Sequence, residues 1–513
     1  MQLNRVLDSV FILAFLVGFY PAIFFISNNW FFVGALQSVL LLIAVPLSAF
    51  VALTILHFIL SRTRLSRDTQ SGLLIIVAVL LLTSFMKVTL DELQKTFPAV
   101  DIRLAIFLVV SLVIVALLVL SRRLAGLHLN LVRFGNVFLM FLSAAALANL
   151  AFSLVANFDK FSAETAHVTA AGAAKQDSAI YRQVKFRSTP DIYLIVPDSY
   201  PSNPILQRFF GTDNREFTHR LESAGFTVYD DYFSSYPYSM ESMHSMLAMQ
   251  HNYFANSIGN DSINLREIIG GNGNAVVNIL RQNGYRSIYL HDSDYLVHNH
   301  CRITACLPQW SELKALKDNA KEFFDLRLPI PDSDYAVNDA MRAQIASTDA
   351  GSKTFVYKHF MDAHSNVKSY KKRYRRLLPK FRREYPARID KVNDIILEEV
   401  EQILARDPAA LIIVVGDHGT WAGADRSRSG LKADETRDKL DVFLAIRWGQ
   451  DYDGRYDDRI RTSVNLFRFI FAYLGQDEKI LTTLKEDDGY VKYKGKVWKV
   501  VGDGKVLDKP VRH

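Results

Sequence analysis

The feature that most restricts the fold of this 513-residue chain is its uneven distribution of apolar residues. Residues up to about position 158 are almost all apolar, whereas the remainder has the mixed composition of a soluble protein. This length allows two structural units with separate cores. We therefore expect a transmembrane unit over residues 1–158, a linker over 159–189 and a globular unit over 190–513.

Five segments of the first unit are long and apolar enough to cross a bilayer, which takes about 20 residues of helix. They cover residues 9–26, 33–60, 72–88, 104–120 and 134–155. Arg5 precedes the first segment, Arg62 lies between the second and third, and Arg122 lies between the fourth and fifth. The positive-inside rule then places the N-terminus in the cytoplasm. Five spans place the globular unit on the opposite side of the membrane.

The chain has two cysteines, Cys301 and Cys306, which are too few for a zinc knuckle. In an oxidising compartment they are expected to form a short-loop disulfide, and two unpaired thiols are the alternative. The net charge of +7 is concentrated partly in residues 368–383. This run is either a solvated helix face or a surface that attracts anionic headgroups or glycans. A location outside the cytoplasm argues against a nucleic-acid partner.

From Pro190 onward, buried strand patterns alternate with helical segments, which indicates an α/β domain with a central, mostly parallel sheet. We expect strand regions at 191–197, 286–291, 354–360, 411–416 and 441–448, and residues 221–228 are expected to lead into a further strand region. Polar residues recur where these strands end. In open α/β sheets, ligands bind at that edge.

Three groups of residues in this unit could carry chemistry. Asp198 follows the first strand and Asp417-His418-Gly419 follows the fifth, so a carboxylate and an imidazole are available to bind Zn²⁺ or Mn²⁺. Ser239 begins a segment with helical apolar spacing, where backbone N–H groups favour an anionic oxygen or a phosphate. Each has an ordinary alternative: Asp198 or Ser239 as a helix N-cap, and Asp-His-Gly as a simple turn.

The order of these groups, together with residues 284–291 and 358–364, resembles the alkaline phosphatase/sulfatase superfamily. The likeness is greatest to its membrane-anchored branch: lipoteichoic acid synthases, phosphoglycerol transferases of periplasmic glucans and lipid A phosphoethanolamine transferases. It covers about Pro190 to Trp448 and the five-span anchor. It implies one divalent metal ion, Mn²⁺ or Zn²⁺ with Mg²⁺ as the alternative. The implied metal ligands are Asp198, Ser239, Asp417 and His418.

The resemblance also assigns roles to single residues. Ser239 Oγ is the implied nucleophile, with Ser235 or Ser242 as substitutes. His291 and His364 are the implied contacts to the substrate phosphate, although Asp362-Ala363-His364-Ser365 stands where relatives have a His-Pro stretch. His359 and His244 are weaker candidates, because a histidine on a strand or helix is more often structural.

The resemblance implies a transferase that moves phosphoglycerol or phosphoethanolamine from a membrane phospholipid to a cell-envelope glycan or lipid, through a phosphoserine intermediate. The alternatives are a phosphodiesterase or phosphatase, and a non-catalytic lipid sensor. Sulfate-ester hydrolysis is not expected, because the Cys/Ser-x-Pro-x-Arg motif that yields formylglycine is missing. The implied location is the bacterial cytoplasmic membrane, with the catalytic domain periplasmic. The sequence does not indicate an oligomeric state.

Overall fold

The structure is a computed structural model that describes most of the chain. The described residues are 7–29, 35–86, 131–156, 179–254, 261–271, 273–292, 295–297, 301, 303–307, 336–364, 371–420 and 432–513, with single positions at 105–106, 108–109, 112, 317, 320 and 422. They divide into two compact units, one containing the N-terminal helices and the other containing the α/β domain.

The N-terminal unit has four described helices that are long and apolar enough to span a membrane. They are α1 (Val10–Asn29), α2 (Ala35–Ser61), α3 (Arg67–Phe85) and α4 (Leu131–Ala156). Their inward side chains, such as Leu13, Val45 and Leu139, form one buried cluster. Their outward side chains are apolar too, as Phe134 and Phe152 are 73% exposed. A helix that is apolar on all sides is suited to lipid, and the chain is therefore a membrane protein.

These helices correspond to four of the five predicted spans. The first, second, third and fifth predicted segments coincide with α1, α2, α3 and α4, with ends that differ by a few residues. The fourth prediction, residues 104–120, falls mostly outside the described residues, which include five of its positions. Most of the predicted linker, residues 159–178, also lies outside them. The number of spans, the orientation and the domain boundaries therefore stay predictions.

The α/β unit is built on a seven-stranded sheet in the order β2-β7-β6-β1-β5-β3-β4. The strands are β1 (Ile192–Pro197), β2 (Thr227–Tyr229), β3 (Arg286–His291), β4 (Ala305–Leu307), β5 (Thr354–Phe360), β6 (Leu411–Val415) and β7 (Leu444–Arg447). The pairs β1–β5, β1–β6, β3–β5 and β3–β4 are parallel, and β7 pairs antiparallel with β6 and β2. The predicted α/β class with a mostly parallel sheet is confirmed.

Helices cover both faces of this sheet. The described helices of the α/β unit are α5 (Asn203–Phe210), α6 (Arg215–Ser223), α7 (Ser239–Ala248), α8 (Asp261–Gly270), α9 (Ala275–Gln282), α10 (Val337–Ser347), α11 (Lys371–Arg406), α12 (Ala433–Leu440) and α13 (Leu466–Gly475). Alternate residues of β1 enter opposite cores: Leu194 packs with residues of α7, α9 and α13, and Ile195 with residues of α10 and α11. The strand is buried along its whole length, as expected for the centre of a parallel sheet.

Three C-terminal strands form a second, antiparallel sheet in the order β10-β9-β8. They are β8 (Gly489–Tyr493), β9 (Lys496–Gly502) and β10 (Lys505–Arg512). Neither this sheet nor β4 was expected from the sequence. Cys306 lies on β4 and forms a disulfide with Cys301, so the predicted short-loop disulfide is present in the structure.

Candidate metal and phosphoryl-transfer site

The sheet order brings the predicted polar residues to one place. Strand β1 lies between β5 and β6, so the carboxyl ends of these three parallel strands are adjacent. Asp198 directly follows β1, Asp417 follows β6 after one glycine, and His359 is the penultimate residue of β5. All three side chains are buried. Residues more than 200 positions apart in the sequence therefore meet at the edge where open α/β sheets bind ligands.

Asp198, His359 and Asp417 form a compact cluster. One potential ligand atom from each residue lies within 4.8 Å of the other two. His359 Nε2 is 3.4 Å from Asp417 Oδ2 and 3.9 Å from Asp198 Oδ2. His359 was favoured as a structural residue from the sequence. The structure instead brings it into contact with both carboxylates.

His418 supplies a second imidazole to this cluster. Its Nδ1 is 2.7 Å from the carbonyl oxygen of Gly419. Because a carbonyl oxygen only accepts, Nδ1 must carry a proton and donate it. The other nitrogen, Nε2, lies 3.2 Å from Ser239 Oγ and 3.7 Å from Asp417 Oδ2. With Nδ1 bound to Gly419, Nε2 is the ring nitrogen that faces the serine and the carboxylates.

Ser239 is the first residue of α7, and Tyr238 occupies the N-cap position. The hydroxyl of Ser239 does not cap the helix. Instead, Oγ donates to Asp198 Oδ2 at 3.1 Å and lies beside His418. The substitutes weighed from the sequence make different contacts: the Ser235 hydroxyl accepts from Ser463, and Ser242 Oγ has no hydrogen-bond partner among the described residues. Of these three serines, Ser239 is the one whose hydroxyl contacts Asp198 and His418.

Two glycines fix the turn that carries Asp417 and His418. A Cβ on Gly416 would lie 2.1 Å from the carbonyl oxygen of Tyr200, and one on Gly419 would lie 1.8 Å from that of Asp438. Neither position has room for a side chain without a shift of the backbone. The Asp-His-Gly sequence is therefore constrained by packing as well as by chemistry.

Hydrogen bonds orient both carboxylates. Asp417 Oδ1 accepts the backbone N–H groups of Ser199 and His418, each at 2.9 Å. Asp198 Oδ1 accepts the Ser199 hydroxyl at 2.8 Å. Ser199 itself has a positive φ of 63°, a conformation that costs free energy in a residue other than glycine. The hydroxyl of Tyr385 donates to the Ser199 carbonyl at 2.6 Å and helps to hold this backbone in place.

The site has a deficit of positive charge. Burial raises the pKa of Asp198, but the hydrogen bond from His364 and the charges of His418 and His359 outweigh burial and lower it well below its usual value. Burial lowers the pKa of His359 and His418, and the nearby carboxylates raise both by more than that. Within the described part of the chain, every ion-pair partner of the two aspartates is a histidine. A divalent cation would supply the charge that the cluster otherwise draws from protonated imidazoles.

The donor atoms fit such an ion. Carboxylate oxygens and imidazole nitrogens are ligands of Zn²⁺ and Mn²⁺, and the spacing within the cluster is short enough for one ion to contact several of them. The described residues therefore support a divalent metal site without specifying the metal. The four predicted ligands all lie at this site: Asp198, Ser239, Asp417 and His418.

The two histidines expected to contact substrate have different surroundings. His364 Nδ1 lies 2.6 Å from Asp198 Oδ1, and its side chain is 31% exposed, so it is the part of the cluster that reaches solvent. His291 is buried between the rings of Tyr289 and Tyr357, and neither ring nitrogen has a hydrogen-bond partner among the described residues. Burial lowers the pKa of His291 to about 3. It is held neutral behind the cluster, paired in register with His359.

One signal in the sequence could have identified His359. It lies in the fourth predicted strand, whose final residues reach the same sheet edge as Asp198 and Asp417. The order of the strands in the sheet was needed to show that β5 lies directly beside β1. Sequence position alone does not contain that order.

Comparisons with known proteins agree with the fold. Residues 190–476, more than half of the chain, match the family model described as Sulfatase. No curated protein sequence matches the chain.

Several solved structures are similar at low identity. The C-terminal periplasmic domain of EcEptC from Escherichia coli, in complex with Zn, shares 12% identity at a TM-score of 0.41, with coverage of 62% of this chain and 94% of that one. The integral membrane protein lipooligosaccharide phosphoethanolamine transferase A from Neisseria meningitidis shares 11% identity at a TM-score of 0.38, with coverage of 91% and 96%. The chain belongs to the sulfatase family, and its apolar N-terminal helices fit the membrane-anchored branch of the alkaline phosphatase/sulfatase superfamily.

Proposed function

We propose that this protein is a metal-dependent transferase that moves a phospho-headgroup, phosphoglycerol or phosphoethanolamine, from a membrane phospholipid to a cell-envelope glycan or lipid. The observation that carries the proposal is the position of Ser239 Oγ at the start of α7, within hydrogen-bond distance of Asp198 and His418. Membership of the sulfatase family and the membrane helices support it. A lipid donor is confined to the bilayer, so tethering the enzyme there raises the effective concentration of that donor.

We assign Asp198, Ser239, Asp417 and His418 as ligands of one divalent ion, Zn²⁺ or Mn²⁺, and add His359 from its contacts with both aspartates. When bound, such an ion lowers the pKa of the serine hydroxyl and offsets negative charge on the phosphoryl oxygens. The backbone N–H groups in the first turn of α7 favour the same anionic oxygens.

The reaction follows from the groups around Ser239. Its Oγ attacks the headgroup phosphorus, the bond from phosphorus to the diacylglycerol oxygen breaks, and diacylglycerol leaves with a proton. The proton of Ser239 passes to Asp198 Oδ2, which accepts its hydrogen bond, and from there to the departing diacylglycerol oxygen. A hydroxyl of the acceptor then attacks the phosphorus, the bond to Oγ breaks, and Ser239 recovers a proton. His364 is assigned to the phosphate oxygens from the solvent side of the cluster, whereas His291, expected from the sequence to do the same, is buried between two tyrosine rings and does not reach them.

The proposal places residues 190–513 in the periplasm of a bacterium, with the N-terminus in the cytoplasm. The arginine distribution supports this orientation. A disulfide between Cys301 and Cys306 agrees with an oxidising compartment. The family also contains enzymes of sulfate esters, but the missing Cys/Ser-x-Pro-x-Arg motif favours phosphorus chemistry for this chain.

The decisive experiment is product analysis with the full chain in nanodiscs that contain headgroup-labelled phosphatidylglycerol or phosphatidylethanolamine and a cell-envelope extract. We expect label on a glycan or lipid product, diacylglycerol as the co-product, and a labelled Ser239 adduct by mass spectrometry. Ser239→Ala should abolish all three. Ser242→Ala is the matched control, because Ser242 lies one helical turn further along and its hydroxyl has no hydrogen-bond partner among the described residues.

Other outcomes separate the rival functions. Label released only as free headgroup phosphate would show that water is the acceptor and that the protein is a hydrolase. If a cellular function survives both Ser239→Ala and Asp417→Ala, the protein is a non-catalytic membrane protein with this fold and the transferase proposal is wrong.

A further inference from the structure

The α/β unit has a few exposed aromatic side chains, and one of them directly precedes Ser239. Among its described residues, the large hydrophobic side chains that are exposed are Tyr238, Tyr253, Tyr295 and Val511, at 40%, 37%, 50% and 53%. Tyr238 immediately precedes Ser239. Single exposed apolar residues scattered over a surface need no explanation, but a group of them beside a reactive serine indicates contact with a ligand.

A layer of buried rings joins these tyrosines to the C-terminal sheet. Phe254 packs edge-on against Tyr236 at 5.2 Å and against Tyr238 at 6.4 Å between ring centroids. Tyr490 of β8 is 6.0 Å from Tyr236 and 5.1 Å from Tyr253. The residues before the nucleophile, the segment after α7 and the second sheet therefore share one aromatic cluster. We call its exposed side the aromatic rim, made of Tyr238, Tyr253 and Tyr295.

Tyr295 is held by Arg266 of α8, whose guanidinium lies 5.5 Å from the Tyr295 ring centroid and whose Nε donates to the Tyr295 carbonyl oxygen. Partial burial, followed by the negative charges of Glu241 and Asp198, raises the pKa of Tyr295 to about 12. Glu241 lies in the first turn of α7, two residues after Ser239. Tyr295 is thus near enough to the nucleophile helix to be influenced by its carboxylate.

The backbone that presents Tyr253 is held in a costly conformation. Met249, Tyr253 and Phe254 have φ values of 53°, 49° and 53°, and none of them is a glycine. The hydroxyl oxygen of Tyr236 accepts the N–H groups of Asn252 and Tyr253 at 3.0 and 2.9 Å. Strain of this kind persists where the surrounding contacts impose it, and it is common at ligand sites. The Tyr253 ring is stacked on His513 with centroids 4.4 Å apart, so one of its faces is covered and the other is left for a ligand.

Positive charge lies next to the rim. Residues 489–513 contain six lysines and one arginine but only two aspartates. Lys492 is exposed and shares a face of β8 with Tyr490, because side chains alternate along a strand. The charge of Lys492 also lowers the pKa of Glu241, whereas burial, the larger effect, raises it. Lys492 therefore lies on the side of the sheet that faces the nucleophile helix.

We propose that the aromatic rim and Lys492 bind the acceptor of the reaction, a saccharide that carries anionic groups. Tyrosine rings offer flat apolar faces to the C–H surface of a sugar, and their hydroxyls can hydrogen-bond with its hydroxyls. Lysine adds attraction for phosphate or carboxylate substituents. A lipid acyl chain fits less well, because tyrosines rather than aliphatic residues dominate the surface, and because Tyr238 is adjacent to the serine where the acceptor must arrive. This inference rests on the proposed transferase function.

Saturation-transfer NMR on the full chain in nanodiscs tests the inference, with maltose 1-phosphate, maltose and inorganic phosphate as separate probes. We expect saturation of the sugar C–H protons, stronger for maltose 1-phosphate than for maltose. Tyr238→Ala combined with Tyr253→Asn should reduce the signal at least fivefold; asparagine tolerates the positive φ at 253. Lys492→Gln should remove the preference for the phosphorylated sugar, and inorganic phosphate should then compete less well.

Tyr493→Ala is the matched control, since Tyr493 lies three residues from Tyr490 on the opposite face of β8. Thermal unfolding of each variant separates loss of binding from loss of folding, and Tyr238→Phe with Tyr253→Phe should keep most of the signal. Unchanged saturation in the folded double variant would overturn the inference. So would lipid acyl-chain signals, rather than sugar signals, arising from the rim.

The two proposals fail in different ways. A labelled Ser239 adduct without binding of either sugar would overturn the acceptor surface and leave the transferase standing. Sugar binding that depends on the rim, without any adduct, would overturn the proposed chemistry.

Discussion

Replacing Gly419 by alanine tests the link between packing and catalysis most directly. The new Cβ would lie 1.8 Å from the carbonyl oxygen of Asp438, and real Cβ atoms stay beyond 3.0 Å of other atoms. The backbone must therefore move by roughly 1 Å. This movement disturbs two hydrogen bonds, from Gly419 N–H to the Lys439 carbonyl and from Thr420 N–H to the Asp438 carbonyl.

The expected loss of stability is about 3–5 kcal/mol, from overpacking of about 1–3 kcal/mol and about 1 kcal/mol for each of the two weakened hydrogen bonds. The expected loss of activity is larger. Because the Gly419 carbonyl accepts from His418 Nδ1, the same shift displaces the imidazole beside Ser239. A misplacement of about 1 Å at a reacting centre costs roughly 100-fold in rate.

Denaturant unfolding measures the loss of stability, and the rate of Ser239 adduct formation from labelled phospholipid measures the loss of activity. Gly502→Ala is the control, since its Cβ would meet the flexible Leu507 side chain at 3.1 Å rather than the backbone. The reasoning is refuted if Gly419→Ala unfolds within about 0.5 kcal/mol of the wild type and forms the adduct at a similar rate.

Three further predictions concern other parts of the α/β unit. His359→Gln should lower the affinity for the metal ion at least tenfold, as measured by competition with a chelator. His219→Gln, at an exposed histidine, should leave this affinity unchanged. Equal affinities of the two variants would show that His359 is not part of the metal site. Arg468→Met should destabilise the fold by about 3 kcal/mol in denaturant unfolding, because the buried guanidinium donates to the Met249 carbonyl and other acceptors that would lose their partner; a loss below about 1 kcal/mol would contradict this. Burial raises the pKa of Asp441 from 3.8 to about 6, so its contribution to stability is present at low pH and is lost as the pH rises through about 6. Between pH 4 and pH 7.5, the free energy of unfolding of Asp441→Asn should therefore fall by about 2–3 kcal/mol less than that of the wild type. If the free energy of unfolding depends on pH equally in both proteins, burial does not govern the pKa of this carboxyl.

The sequence by itself determined the class of the protein. Apolar runs of bilayer length are a property of local composition, and they identified the four helices that the structure describes as candidate spans. Strand β1 and strand β5 were located to within a residue, because a buried parallel strand is a short apolar run that turn and helix signals interrupt. The order of Asp198, Ser239 and Asp417-His418 was sufficient to indicate the superfamily.

Tertiary structure decided which of these residues meet. Ser239 was as compatible with an N-cap as with a nucleophile until α7 was seen to begin at Ser239, with Tyr238 as the cap. His359 joined the cluster because β5 lies beside β1, and strand order is set by long-range packing that no local pattern reports. The C-terminal sheet was missed for a similar reason: its strands carry many lysines, and one of its inward residues, Tyr490, packs on Tyr236, more than 250 positions earlier in the chain. Local patterns specify elements, whereas a site made from the ends of separated elements exists only once those elements are packed.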